Sequence, residues 1–164
     1  MAVVTVKSAA LTLMDTAGGA LPVSRQARSD LEVGCGKAEL ASGDSIASIY
    51  RCVRVPSNCR ISQVLLKCSA ITTCAGDIGV YRADTGAVVD VDLFASAQSL
   101  ASALAILTDV TNESTTITPV IAEQPLWQAG GLTADPGGYF DIAVTLTAAA
   151  GSAGQVFLEA RYAV

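Results

Sequence analysis

The feature that most constrains this chain is a succession of strand-like segments between Ile46 and Leu93, separated by short joins. Ile46–Val55 is rich in β-branched and aromatic residues and stops at Pro56-Ser57-Asn58, where the proline lacks a backbone donor. Cys59–Cys68 follows, and its apolar run Val64, Leu65, Leu66 suits a strand covered on both faces. Gly76–Arg82 then turns through Ala83-Asp84-Thr85-Gly86 and returns as Ala87–Leu93. That is a hairpin signature, because Gly86 takes positive φ at no steric cost. A parallel α/β fold needs repeated helix crossovers, and the chain offers one candidate helix.

Two alternating segments close the chain. Tyr139–Thr147 sets Phe140, Ile142, Val144 and Leu146 against Asp141, Thr145 and Thr147, and Gln155–Val164 sets Val156, Leu158, Ala160 and Tyr162 against Glu159 and Arg161. Between the two groups, Phe94–Leu107 is alanine-rich, and Leu93, Ala97, Leu100, Ala101 and Leu104 recur at helical spacing. One short helix is expected near residues 94–104. Pro119 and Pro125 limit regular structure around Val120–Trp127, and 129–138 is a glycine-dense loop. Seven to nine strands, mostly linked by hairpins, predict an all-β fold: an antiparallel sandwich, jelly-roll-like. These local signals do not separate a jelly roll from an immunoglobulin-like strand order.

The N-terminal region is less regular. Val3–Lys7 reads as a strand, Ala9–Met14 extends it or begins another, and 15–20 (DTAGGA) is a turn. Leu21–Lys37 has no clear period; it reads as an exposed arm or long loop, with Ser24–Glu32 as an alternative short helix. The expected division is an N-terminal strand and arm over 1–37 and one sandwich domain over 38–164, a length that buries a real core.

Composition narrows function mainly by exclusion. The 164 residues are 51% hydrophobic and 15% charged, with a net charge of -5, which disfavours general nucleic-acid binding. No stretch is long and apolar enough to span a membrane. Residues 1–82 carry nine basic and six acidic residues, and 83–164 carry one and nine. That asymmetry orients subunits, or else disappears when a β fold mixes the halves on one surface.

With no histidine, the chain lacks the commonest acid–base group and metal ligand, so histidine-dependent nucleophilic catalysis is excluded. The five cysteines, Cys35, Cys52, Cys59, Cys68 and Cys74, form no CxxC knuckle, and an odd number cannot all pair within the chain. With no secretory leader evident in the first residues, they are expected as buried free thiols in a reducing cytoplasm, with Cys52 and Cys59 facing across a Pro56 hairpin. Asp84, Asp90, Asp92 and Asp109 do not follow calcium-loop spacing. No enzymatic activity and no cofactor or metal are expected.

Candidate interface residues are Arg25 and Arg28 in the arm, Arg51 and Arg54 in a basic cluster with Arg60 and Lys67, and Trp127, which caps the core or anchors a partner. Trp127, Tyr81 and Tyr139 are the available members of an aromatic platform for a sugar. Loops rich in Ala, Gly, Ser and Thr lose little side-chain entropy when covered.

The segments YRCVRVPSNCRISQVLLKCSAI and AGDIGVYRADTGAVVDVDLFASAQSL resemble head decoration, or cement, proteins of tailed bacteriophages. The likeness spans about residues 44–110, and Gly138–Val164 loosely. It implies a jelly-roll-like sandwich on the outside of an icosahedral head, where it binds the major capsid protein, bridges capsomers as a trimer or dimer, and contacts neither nucleic acid nor membrane. It implies assembly in the bacterial host cytoplasm, with Arg54, Pro56, Asn58, Asp77, Tyr81, Asp90 and Phe94 as fold-defining positions. It leaves Leu21–Lys37 and Thr111–Ala134 as candidates for contact with the shell. A minor head, neck or fibre-base protein and a carbohydrate-binding or adhesion sandwich are the alternatives.

Overall fold

The computed structural model describes residues 30–164. The expected strand at Val3–Lys7, the turn after it, Arg25 and Arg28 lie outside the described residues. Eight strands follow one another: β1 Leu31–Leu40, β2 Ile49–Pro56, β3 Arg60–Cys68, β4 Ala75–Arg82, β5 Val88–Ser99, β6 Leu104–Asp109, β7 Tyr139–Ala148 and β8 Gly154–Ala163. Two four-residue helices, α1 Pro119–Ala122 and α2 Leu126–Ala129, lie between β6 and β7.

The strands form two four-stranded sheets, β1-β8-β3-β6 and β2-β7-β4-β5, and every pairing is antiparallel. The order has a simple logic. β1 pairs with β8, β2 with β7, β3 with β6 and β4 with β5, so the chain doubles back on itself about the β4–β5 turn. The doubled ribbon then rolls up, and β8 meets β3 while β7 meets β4. This is the eight-stranded jelly roll, and the strand order separates it from an immunoglobulin sandwich. The same nesting pairs each strand of the basic half with one from the acidic half, so the charge asymmetry is mixed across the sheets.

The expectation of mostly hairpin-linked strands is corrected: of the seven consecutive strand pairs, only β4 and β5 share a sheet. That hairpin is the one the turn residues announced, with Gly86 at φ 74 and Arg82 N–H donating to the Ala87 carbonyl at 2.8 Å. The Pro56 join is an arch between sheets, so Cys52 and Cys59 do not face each other across a hairpin. Ser57 in that arch is buried; its N–H donates to the Gly138 carbonyl and its hydroxyl to Asp135 Oδ1 at 2.7 Å. The arch is therefore fixed by a loop distant in sequence.

The expected helix near residues 94–104 is also corrected, since β5 runs through Ser99 and β6 begins at Leu104. Leu93, Phe94 and Ala95 are all buried, whereas Ala97 and Ala101 are exposed, so the 3–4 spacing does not mark one face. Between Ala95, opposite Ile78, and Asp90, opposite Val80, β5 carries extra residues and bulges. The bulge lays the Asp90–Val91 backbone over Gly79, where a Cβ would lie 2.2 Å from the Asp90 carbonyl oxygen. Ala97 has φ 51, and Asp77 Oδ1 accepts its N–H at 2.7 Å. Burying Phe94 and Leu93, at about 1.5–3 kcal/mol per large apolar side chain, outweighs the few tenths per residue of helix propensity.

The boundary after Lys37 is corrected too. Residues 31–37, expected within an arm, form most of β1 and pair with β8 from Leu31 opposite Ala163 to Leu40 opposite Gly154. β1 faces inward with Gly34, Gly36, Ala38 and Leu40. The two glycines are required because β2 closes against them: a Cβ on Gly36 would lie 1.9 Å from the Cys52 carbonyl oxygen. One flank of the sandwich is shut by this backbone contact. The core between the sheets is filled by Val55, Val64, Leu66, Ile78, Val80, Phe94, Phe140, Ile142, Leu158 and their neighbours.

Candidate functional site

Arg51 and Arg54 are three residues apart on β2, a spacing that puts side chains on opposite faces of a regular strand. Cys52 is an extra residue: Arg51 pairs with Ala143 and Val53 with Ile142. The bulge resets the alternation, and both arginines reach Asp141 on β7. Arg54 grips it as a fork, Nε to Oδ1 at 2.7 Å and Nη2 to Oδ2 at 3.0 Å, while Arg51 Nη1 stands 3.5 Å from Oδ2. Asp141 is only 4% exposed, on the outward face of a strand whose inward residues are also buried. That face is covered partly by Tyr81, itself buried, whose hydroxyl shares a hydrogen bond of 2.6 Å with Thr145.

Beside this cluster lies a shallow cleft of about 410 Å³ lined by Arg54, Arg82, Asp84 and the 136–139 loop. Arg82 forks onto Asp84 at 3.0 and 2.9 Å, and that guanidinium with the Thr85 N–H holds the Asp84 carboxyl well below its ordinary range. Each arginine of the cleft is neutralised by a carboxylate of the same chain. The cleft thus presents a fixed charge pattern of the kind that sets orientation at a contact.

The aromatic platform that a sugar-binding sandwich would require is not assembled from Trp127, Tyr81 and Tyr139. Tyr139 is 58% exposed, but Tyr81 is buried in the sheet and Trp127 packs against the core from α2. Trp127 N–H donates to the Ser57 carbonyl and Leu126 N–H to the Cys59 carbonyl, so the segment after β6 is docked on the sandwich through the Pro56 arch. Thr118 caps α1 by accepting from the Ile121 N–H. Val120 on α1 is exposed within this segment.

The residues carried by the resemblance also have roles inside the fold. Pro56 ends β2 and Asn58 sits in the arch after it. Asp77 receives the Ala97 N–H, Asp90 accepts the Asp92 N–H, and Phe94 fills the core. Two partners escaped the sequence reading: Asp141, read only as an outward strand residue, and Asp135, read only as loop. A lone aspartate in a strand whose other outward residues are tyrosine, alanine and threonine was the available signal.

All five cysteines are free. Burial pushes the Cys52 thiol up to about 11 and the Cys59 thiol up to about 12, and raises Cys68 and Cys74 as well. Cys35 alone is exposed. Among the described residues, no group of three or more His, Cys, Asp or Glu side chains is placed to hold a metal, and no helix is long and apolar enough to cross a membrane.

The outer face of the β1-β8-β3-β6 sheet carries a second concavity, a groove of about 540 Å³. It runs from Lys37 on β1 across Phe157 and Lys67 to Leu104, Ala105 and Leu107 on β6. Apolar carbon dominates its floor, unlike the arginine cleft on the other sheet.

No family model matches the chain, and no curated protein does. Among solved structures, the chain is similar to one described as the cyanophage Pam1 capsid asymmetric unit, with 14% identity and a TM-score of 0.54 over 83% of this chain and 86% of that one. At that identity the likeness shows the fold, an antiparallel β-sandwich shared along most of both chains.

Proposed function

We propose that this protein is a structural component of a tailed-phage virion that binds the outer surface of the icosahedral head and stabilises it by bridging capsomers. The observation that carries the reading is the jelly roll itself, similar over most of its length to a chain of a phage capsid asymmetric unit. The residues support the same direction: the arginine cleft is internally neutralised, and the loop surfaces are built from short side chains. The partner is the major capsid protein and the free protein is a trimer or dimer. It assembles in the host cytoplasm, and no chemistry is performed. Each copy contributes only binding energy, and symmetric repetition multiplies it over the shell.

The test is rebinding. Purified protein is added to heads that lack it, and occupancy is counted by quantitative mass spectrometry while head rupture is followed on heating. Saturation at hundreds of copies with a raised rupture temperature is the expected result. Binding confined to about a dozen copies at one vertex would assign it to the neck or fibre base instead, and no binding would overturn the virion-surface reading.

A further inference from the structure

The arginine cleft sits at the end of the β2-β7-β4-β5 sheet where β2 and β4 stop and β5 and β7 start. Arg54 and Arg82 meet their carboxylates in the same way. Each gives Nε and Nη2, and its Nη1 makes no hydrogen bond among the described residues. Asp141 is buried behind Arg54, but the Arg82–Asp84 fork is open, with the two side chains 33% and 60% exposed. A positive and a negative group thus stand side by side at the surface in one fixed orientation.

Apolar surface lies next to these charges. Tyr139 lines the cleft and is exposed; it follows Gly137 and Gly138, both at positive φ, and shares the outward face of β7 with Asp141. Val88, opposite Tyr81 across the β4–β5 pairing, is exposed at the same end of the sheet. Tyrosine and arginine are the residue types that anchor interfaces, and a guanidinium over a tyrosine ring gains a cation–π contact. One patch therefore carries both a protruding ring and a hollow lined by arginines.

The charge pattern selects the partner. A simple acid or base at this cleft meets the opposite charge and its neutralising neighbour together, and gains little. A second copy of the chain gains more. The chain carries a net charge of -5, so two copies repel at an average face. Here Arg54 and Arg82 are balanced by Asp141 and Asp84, and that general repulsion is absent. A twofold rotation sets Arg82 of one copy against Asp84 of the other, and the same contact forms a second time by symmetry. It also offers the exposed Tyr139 of each copy the cleft of the other.

We infer that this end of the β2-β7-β4-β5 sheet is a self-complementary face through which two copies pair about a twofold axis, Tyr139 of each entering the cleft lined by Arg54 and Arg82 of the other. The inference rests on the proposed homo-oligomer, which it narrows to a dimer, and not on attachment to the head. It is tested on the full chain, under reducing conditions, by sedimentation equilibrium over a concentration series. Tyr139→Ala is expected to weaken association at least about tenfold while circular dichroism shows the sandwich still folded. An Arg82→Asp, Asp84→Arg double variant inverts the fork without removing it, and it should pair with itself as the wild type does. Mixed with isotopically labelled wild type, it sets like charge against like. Native mass spectrometry should then find mixed dimers at least about tenfold below the roughly one half that chance gives. Free mixing of the two, a double variant that does not pair with itself, a dimer that Tyr139→Ala leaves unchanged, or a trimer overturns the inference and leaves the proposed oligomer standing. A monomer at every concentration overturns both, and attachment to heads is read separately by the rebinding count.

Discussion

Arg54 on β2 holds Asp141 on β7 by two parallel hydrogen bonds, Nε–Oδ1 at 2.7 Å and Nη2–Oδ2 at 3.0 Å, and the carboxylate it holds is almost wholly buried. The pair is one-sided, because the Arg54 side chain is itself 60% exposed. Removing the arginine leaves a buried carboxylate with only the distant Arg51 as partner. Arg54→Ala is expected to lower stability measurably, but by less than breaking a fully buried pair would, because solvent reaches the gap. Asp141→Ala is expected to cost less than the sum of its two contacts, since both arginines then return to water. Urea denaturation of the two single variants and the double variant measures this. An unchanged denaturation midpoint for Arg54→Ala would show that the fork is an ordinary surface pair.

Gly36 and Gly79 mark places where backbone lies on backbone. A Cβ at Gly36 would meet the Cys52 carbonyl at 1.9 Å, and at Gly79 the Asp90 and Val91 backbone at 2.2–2.3 Å. No flexible side chain stands there to move aside. Gly36→Ala and Gly79→Ala are each expected to destabilise by about 2–3 kcal/mol or more, the scale of overpacking in a closed interior. The check is the denaturation midpoint. A variant with an unchanged midpoint would show that the β1–β2 flank, or the β5 bulge, opens without penalty.

These two glycines also explain what was legible in the sequence. β4, β7 and β8 were visible because large apolar residues alternate with polar ones, and the β4–β5 turn because Gly86 follows Asp84 at the right distance. β1 alternates just as strictly, but its inward residues are Gly34, Gly36, Ala38 and Leu40. Its inward face had to be small to admit β2, and smallness carries no hydrophobic period. Phe94–Leu107 failed for the opposite reason: its local preference is helical, and pairing of its first part with β4 and of its end with β3 overrides it. The arches at Pro56 and after Ala148 look like hairpins locally, because a short turn does not say which sheet the next strand joins. At the arginine cluster the cationic residues were legible but their partner was not, since Arg54 and Asp141 are 87 residues apart and meet only through the nesting of β2 on β7.

The cysteines give a chemical readout of burial. Cys35 is exposed on β1, whereas Cys59, Cys68 and Cys74 are buried and Cys52 is half-buried with its thiol pushed up to about 11. A thiol reacts as its thiolate and only where reagent reaches it. Alkylation of the native protein at pH 8 is expected to label one site rapidly, Cys35, and the other four only after denaturation. Peptide mass spectrometry identifies the site. Fast labelling of Cys59 would contradict its place in the core.

Alkali should unfold the protein through the same groups. Burial raises Cys52 to about 11 and Cys59 to about 12 from 9, and burial with the Asp44 hydrogen bond raises Tyr50 to about 12 from 10. In each case the folded-state value lies above the unfolded one, so folding favours the protonated form. The stability that this protects is fully present below about pH 9, the unfolded thiol value, and is lost progressively as pH rises toward 12. The expected result is a denaturation midpoint that is flat from pH 7 to 9 and falls steadily above it. Cys59→Ala leaves a small cavity and lowers the midpoint at neutral pH, but it should flatten the alkaline decline because one buried ionisation is gone. Tyr50→Phe should flatten only the part above pH 10. If both variants decline as steeply as the wild type, the alkaline transition belongs to other groups, and the buried thiol and phenol do not control it.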